Sequence, residues 1–421
     1  MTGRRTVRRV SAALACLALS GCWLQPDYDG GATRWNPHER EITAANVADL
    51  QVAWSIDVPG FGPEPLVSGG RVVFSRQDLL SVDVVAVDAT TGAVVWQRPV
   101  SPPDATQAFS NHAPTFVGDE IWMDWAGSRP GVDCAFGTSR FDADGHLLGT
   151  DTSAYAASAP VQSGDHVVQA QAATCPAPFT GPHTVVVKDV STHQVLWTGV
   201  GPPANFGEVS VADGWIITGN GGFPLAGCGA ATCTRAWQPA QVGGFEPYVA
   251  GADGPYFYGV EPGIGGPFGQ VRAMSKADGQ VAWSAPYQAT GAEIALDDDH
   301  LYVVPNGGGA GSGPGRLMAF DRDGCGSPTC SPLWSVPVPE RAGAPAVAGD
   351  VLYVAGGDQV HTFPADGCTA VACPELAAIP VPGVEGIEGI AVAEGRLVVT
   401  SLVGTDPAQP EHRITAFELP G

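Results

Sequence analysis

Lysine is almost missing from this chain of 421 residues: only Lys188 and Lys276 occur, among 20 basic residues set against 43 acidic ones. The formal net charge of −23 disfavours nucleic acid and anionic lipid surfaces as partners, because the long-range field repels both. Amine-based covalent chemistry has equally little to draw on. No stretch carries apolar residues at helical spacing over a useful length, which argues against a mainly helical fold. The patterns G-x-S-x-G, H-E-x-x-H and G-x-x-x-x-G-K-[ST] are absent, and no C-x-x-C-H offers a fused c-type haem.

What is present begins with Arg4, Arg5, Arg8 and Arg9, an apolar run from Val10 to Leu19, and then Ser20-Gly21-Cys22. The run is too short to span a bilayer, so residues 1–21 read as a secretory signal peptide. Leu19-Ser20-Gly21-Cys22 resembles the bacterial lipobox, which implies lipid attachment at Cys22. Residues 22–41, rich in Asp, Gly and Pro, then read as the lipidated cysteine and a tether, with one domain over 42–421. Without residues 1–21 the chain keeps 16 basic and 43 acidic residues, a net charge of −27. The expected place is extracytoplasmic, lipid-anchored to a membrane of the bacterial cell envelope.

Export also bears on the cysteines. Beyond Cys16 and Cys22, six form C-x4-C pairs: Cys228/Cys233, Cys325/Cys330 and Cys368/Cys373. Cys134 and Cys175 remain. An even number in an exported chain argues for disulfides. Zinc would need two pairs converging on one ion, and these pairs sit on separate repeats.

Those repeats follow the pattern A-x-D-x-x-T-G-x-x-x-W, best preserved from Ala86 to Trp96. Aligned on the final tryptophan, the registers are Trp54, Trp96, Gly149, Trp197, Trp237, Trp283, Trp334 and Ala377, spaced 40 to 53 residues apart. Each unit holds short alternating strands bounded by Gly, Asp and Pro. The fold class that follows is all-β, an eight-bladed β-propeller of four-stranded blades. Ala416-Phe417-Glu418 supplies the first half of a motif and Leu50 to Trp54 the second, so one blade is expected to be closed by both termini. In three registers the C-x4-C replaces the Thr-Gly turn. The tryptophans are expected to pack blade against blade.

The repeated motif resembles the pyrroloquinoline-quinone-type (PQQ) repeat propeller family, over nearly all of residues 42–421. Asn36-Pro37, Ile42-Thr43, Asn46-Val47, Leu50 and Trp54 also resemble the entry to its quinoprotein dehydrogenases. The family includes those enzymes and the propeller lipoprotein of the outer-membrane barrel-assembly machinery. The first likeness implies a PQQ- and calcium-dependent dehydrogenase of alcohols or sugars; the second implies a non-catalytic binding or scaffold propeller with a protein partner. Adjacent cysteines beside the quinone mark the enzymes, and no two cysteines here are adjacent. No match to their calcium ligands and catalytic aspartate stands out either, so the scaffold reading is preferred and PQQ is not expected.

The same register exposes one position per blade at the entry to the innermost strand: Glu64, Ala113, Ala159, Glu208, Glu246, Glu293, Ala344 and Glu388. Five glutamates would face a common axis, with Asn111 and His112 nearby. Two readings stay open: solvated glutamates at a water-filled mouth, or a site for a cation or cationic ligand. Calcium, held by Glu246 and Glu293, is the metal such oxygen donors suit.

Overall fold

Eight β-sheets succeed one another along the chain in the computed structural model of this protein. The structure describes residues 21–60, 64–77, 81–105, 107–110, 112–172, 183–200, 209–219, 221–239, 248–261, 269–289, 291–306, 315–339, 343–365, 368, 373–404 and 411–421. Blade 1 consists of Leu66–Ser68, Arg71–Gln77, Val82–Asp88 and Val94–Pro99, paired antiparallel from the inside outward. Blades 2, 3, 5, 6 and 7 follow this plan on the inner strands Thr115–Val117, Val161–Ser163, Tyr248–Asp253, Gly291–Leu296 and Pro345–Ala348. Blade 4 starts at Ser210–Ala212 and is abbreviated: three strands, with the fourth reduced to a bridge between Gly222 and Trp237. Inner strands touch inner strands of neighbouring blades, so the sheets stand around a common axis. The one helical element among the described residues is a 3-10 turn, Val47–Asp49.

Blade 8 closes the ring as the sequence predicts. Gly386–Ala393, Arg396–Leu402 and Glu411–Glu418 are completed by Gln51–Pro59, which places Trp54 opposite Ala416. Pairing both termini in one sheet leaves no gap in the ring.

The motif works as a joint between blades. Asp88 Oδ1 accepts the amides of Thr90 and Thr91 and the Thr91 hydroxyl, and Gly92 takes φ +69°. That glycine is needed twice over, for its left-handed backbone and for its missing Cβ. The Trp54 ring of blade 8 lies on it, and Trp54 Nε1 donates to Ala89 O at 2.8 Å. Trp96 lies in the same way on Gly145, Trp197 on Gly227, Trp237 on Gly279 and Trp283 on Gly324. A Cβ on any of these five glycines would sit only 2.6 to 2.9 Å from the ring. The tryptophans are therefore packing residues.

One joint is built differently. Blade 2 has Gly149 where a tryptophan belongs, and blade 3 has His193, at φ +58°, where the turn glycine belongs. Arg140 fills the space: a Cβ on Gly149 would meet its Nη2 at 3.0 Å. Its Nη1 donates to His193 Nδ1 at 2.6 Å and to Glu120 Oε2 at 3.1 Å, beside Trp122. A polar cluster thus replaces the ring-on-glycine contact. Both members of the pair are absent at this seam, between Gly149 and His193.

Cys228–Cys233, Cys325–Cys330 and Cys368–Cys373 are disulfides, and Cys134 is disulfide-bonded, while Cys175 lies outside the described residues. The first two loops do more than close a turn. Thr232–Thr234 adds as a parallel strand to the outer edge of blade 3, with the Thr198 amide donating to Ala231 O at 2.9 Å. On blade 5 the Ser284 amide donates to Pro328 O and Ser284 O accepts from the Cys330 amide. Each loop covers the unpaired edge of the blade before it, the usual weak point of a sheet. Replacing Cys228 and Cys233 together by serine should cost about 2 kcal/mol from the lost loop constraint. Hydrogen exchange at the Thr198 amide should quicken with it; unchanged exchange there would refute the latch.

Candidate functional site

Residues 22–36 do not hang clear of the propeller, as the tether reading expected. From Trp23 to Asn36 the chain runs once around the inside of the ring and bonds to the inner strand of every blade. Trp23 exchanges backbone hydrogen bonds with Val67 of blade 1, and Leu24 O accepts from Phe116 of blade 2. The Gln25 side chain pairs with both backbone groups of Gln162 in blade 3. Gly30, Gly31, Thr33 and Arg34 carbonyls then accept the amides of Val211, Ala252, Leu296 and Val347, in blades 4 to 7. Asn36 Nδ2 reaches Val392 O of blade 8 at 2.8 Å.

Composition misled here because glycine has two uses. Gly30 and Gly31 serve close approach rather than flexibility: a Cβ on Gly31 would lie 2.3 Å from Ala252 O. Asp29 folds the segment on itself by accepting the amides of Gly31 and Thr33. Burial pushes its carboxyl up to about 6, against the pull of those hydrogen bonds. The belt lies at the ends of the inner strands that lead into the first turn of each blade, so it narrows that mouth of the channel.

Arg34 points from the belt toward the glutamates. It forms an ion pair with Asp27, its neighbour along the belt, and its Nη1 lies 3.6 Å from Glu293 Oε2. Glu64 lies in the same field. It keeps exposed surface, yet it is crowded by surrounding protein, and that burial is the main cause lifting its carboxyl to about 7. Asp27 and Glu293 add to the rise; Arg34 and His112 oppose it. Glu388 accepts from His412 Nε2 at 2.9 Å. His112 pairs with Asp124 at 3.0 Å. Burial pulls the His112 pKa down, but Asp124 and Glu64 together lift it above the ordinary value.

Of the sequence-predicted ring, Glu64 and Glu388 line one cavity, and Glu293 adjoins it through Arg34. Glu208, Glu246 and Asn111 lie outside the described residues. The residues that the register did not reveal are Asp27, Arg34, Asp124 and His412. Three aromatics, Trp23, Tyr28 and Trp35, were the available signal, since a solvated tether has no use for them. Cys22, read as the lipid carrier, is buried and disulfide-bonded, with its sulfur beside Ser68 Oγ and the Glu394 carboxylate.

The cavity bounded by Asp27, Arg34, Glu64 and Glu388 holds about 30 Å³, room for a water or a small ion. A tricyclic quinone needs roughly ten times that space. The Arg34 guanidinium also occupies the neighbourhood of Glu293, where calcium was expected. Among the described residues no three acidic, histidine or cysteine side chains are grouped to hold a metal. The described residues of this cavity do not fit a quinone–calcium pair; Glu246, the other expected calcium ligand, lies outside them.

Glu64 gives a direct test of this electrostatic reading. A carboxyl whose folded pKa is raised favours the folded state below its ordinary value, near 4.5, and that contribution is lost as pH rises through about 7. Glu64→Gln should therefore raise the unfolding midpoint at pH 8 and leave it nearly unchanged at pH 4. Parallel midpoint curves for the two proteins from pH 4 to 8 would refute the assignment.

The ring of eight sheets, the turn-and-tryptophan joint and the terminal closure define a PQQ-type repeat β-propeller. The family model described as outer membrane protein assembly factor BamB matches residues 32–220 and 267–370, and the chain belongs to that family. No curated protein matches the chain in sequence. Among solved structures, the quinohemoprotein alcohol dehydrogenase from Comamonas testosteroni is similar, at 14% identity and TM-score 0.64 over 98% of this chain and 83% of that one. A europium-containing methanol dehydrogenase gives 14% identity and TM-score 0.63, covering 96% and 99%. The computationally designed Ika8 protein gives 12% and 0.57, covering 87% and 99%. Identities this low carry the fold alone, and a designed protein shares the likeness as readily as enzymes do.

Proposed function

We propose that this protein is a non-catalytic binding or scaffold propeller of the cell envelope, and that it engages its partner through its rim. One observation carries this reading. The two residues before the last motif position, Trp96, Gly149 and Trp197 in turn, are apolar and solvent-exposed on three successive blades: Val94 and Val95, Leu147 and Leu148, Val195 and Leu196. Such a run of apolar surface on an otherwise acidic protein marks an interaction site more often than chance. The channel, by contrast, is taken up by the chain's own belt. The family description, an outer membrane assembly factor, favours an envelope protein partner. Lipid at Cys22 remains part of the proposal, and mass measurement of the mature N-terminal peptide decides it.

A photo-crosslinking residue at Leu148 should trap one protein partner in intact envelopes. The same residue at Leu333, exposed on blade 6, should not. Equal capture at both positions would sink the rim assignment. Incubation with the quinone and calcium should give no dye reduction with alcohols or sugars; turnover would establish the dehydrogenase reading instead.

A further inference from the structure

We infer that the carboxylate-lined lumen is a guanidinium-binding site and that residues 23–36 are its ligand in cis, held there displaceably. The inference is independent of the rim assignment. Two observations combine. The propeller contributes two carboxylates from different blades: Glu64, which lines the cavity, and Glu293, which adjoins it through Arg34. A guanidinium already sits between them: Arg34 Nη1 is 3.6 Å from Glu293 Oε2, and its charge acts on Glu64. The arrangement is that of a receptor with an occupant, and the occupant arrives on an extended segment.

Its chemistry separates guanidinium from other cations. Arg34 divides its fork, Nε toward Asp27 and Nη1 toward Glu293, so a planar group with several directed donors fits. An ammonium has its three donors on one compact nitrogen, so it cannot match the spacing between Nε and Nη1 of the fork. The carboxylates outnumber the guanidinium, since Asp27, Glu64 and Glu293 all surround it. The site is thus under-neutralised, and an arginine arriving without its own aspartate would suit it better than the resident segment does.

The belt is held under strain, which favours displacement. Asp27, Tyr28, Ala32 and Arg34 all adopt positive φ, between +53° and +81°, a region that residues with a Cβ disfavour. Its blade contacts are short: a bond pair at Val67, single carbonyl-to-amide bonds at Phe116, Val211, Ala252 and Leu296, side-chain bonds at Gln162 and Val392, and a two-residue pairing of Trp35 and Asn36 with blade 7. The belt can therefore peel away blade by blade. The ligand class that follows is an extended peptide presenting an arginine.

Hydrogen exchange on the intact chain tests this with argininamide and lysinamide at equal millimolar concentration. Argininamide should accelerate exchange at the Ala252, Leu296 and Val347 amides, which bond to belt carbonyls, and leave the outer strands unaffected. Lysinamide should leave all of these amides unchanged. Equal acceleration by both compounds, or none by argininamide, would overturn the inference. As a second arm, Arg34→Ala should lower the unfolding midpoint, and methylguanidinium should restore it where methylammonium at the same ionic strength does not. Rescue by both salts, or rescue that survives Glu293→Gln, would also overturn it.

Discussion

Trp237→Ala should be the most damaging single substitution among the motif tryptophans, lowering stability by about 3–5 kcal/mol. Several losses combine at this position. The ring stacks on Phe257 at 5.1 Å and 13°, and leans on Trp215 at 6.1 Å. Its Nε1 donates to Lys276 O at 2.6 Å, so truncation also orphans a buried carbonyl. Trp237 further provides the bridge to Gly222 that stands in for the missing fourth strand of blade 4. No other motif tryptophan among the described residues both docks on the next blade and stands in for a missing strand of its own. Chemical denaturation with Val95→Ala as control checks this, since Val95 is exposed and its truncation should move stability by no more than about 0.5 kcal/mol. A cost for Trp237→Ala below about 1 kcal/mol would refute the joint as described.

The second large effect is expected from a chain that starts at residue 37. Removing the belt takes Arg34 away from Glu64 and Glu293; the Glu293 side chain is 37% exposed, so that ion pair alone contributes about 1 kcal/mol or less. The truncation also strips the inner strands of bonds at Val211, Ala252, Leu296 and Val347. The truncated protein should be less stable by about 3 kcal/mol or more, mainly through those lost bonds and the lost burial of Trp23. It should also respond to salt where the full chain does not, because its lumen carboxylates then repel one another unshielded. Equal midpoints and equal salt response for the two chains would return residues 22–36 to the role of a tether.

The sequence made the repetitive and local features legible, and missed what depended on the ring as a whole. The Asp88–Thr91–Gly92 turn is set by hydrogen bonds within four residues, so the motif announces it. The tryptophan docks on a glycine one blade on, and repetition of both made the pairing visible. The terminal blade could be found because each end carried half of a known pattern. The three C-x4-C loops could be read as disulfides from spacing and export. The second role of the first two, covering the edge of the preceding blade, depends on where the next sheet stands and has no local signature.

The belt is the opposite case. Its bonds use backbone carbonyls, which any residue supplies, and its partners are scattered from Val67 to Val392. Gly30, Gly31 and Asp29 look like linker composition, although each serves a specific contact. For the same reason the glutamate register was only half informative. It identified Glu64, Glu293 and Glu388 as neighbours of one lumen, but not the arginine placed among them, since Arg34 belongs to no repeat.

The closure at blade 8 has a consequence for how the protein comes into being. The strand Gln51–Pro59 finds its partner only when Glu411–Glu418, at the far end of the chain, has been made. The belt's last bond, Asn36 to Val392, waits equally long. Synthesis therefore cannot bank a finished N-terminal piece as it proceeds; the first strand must stay unpaired until nearly the whole polypeptide is out. Such long-range pairing makes assembly slow and leaves an adhesive edge in the interim. A chain built this way suits export in the unfolded state, with escorts holding it until the final residues arrive.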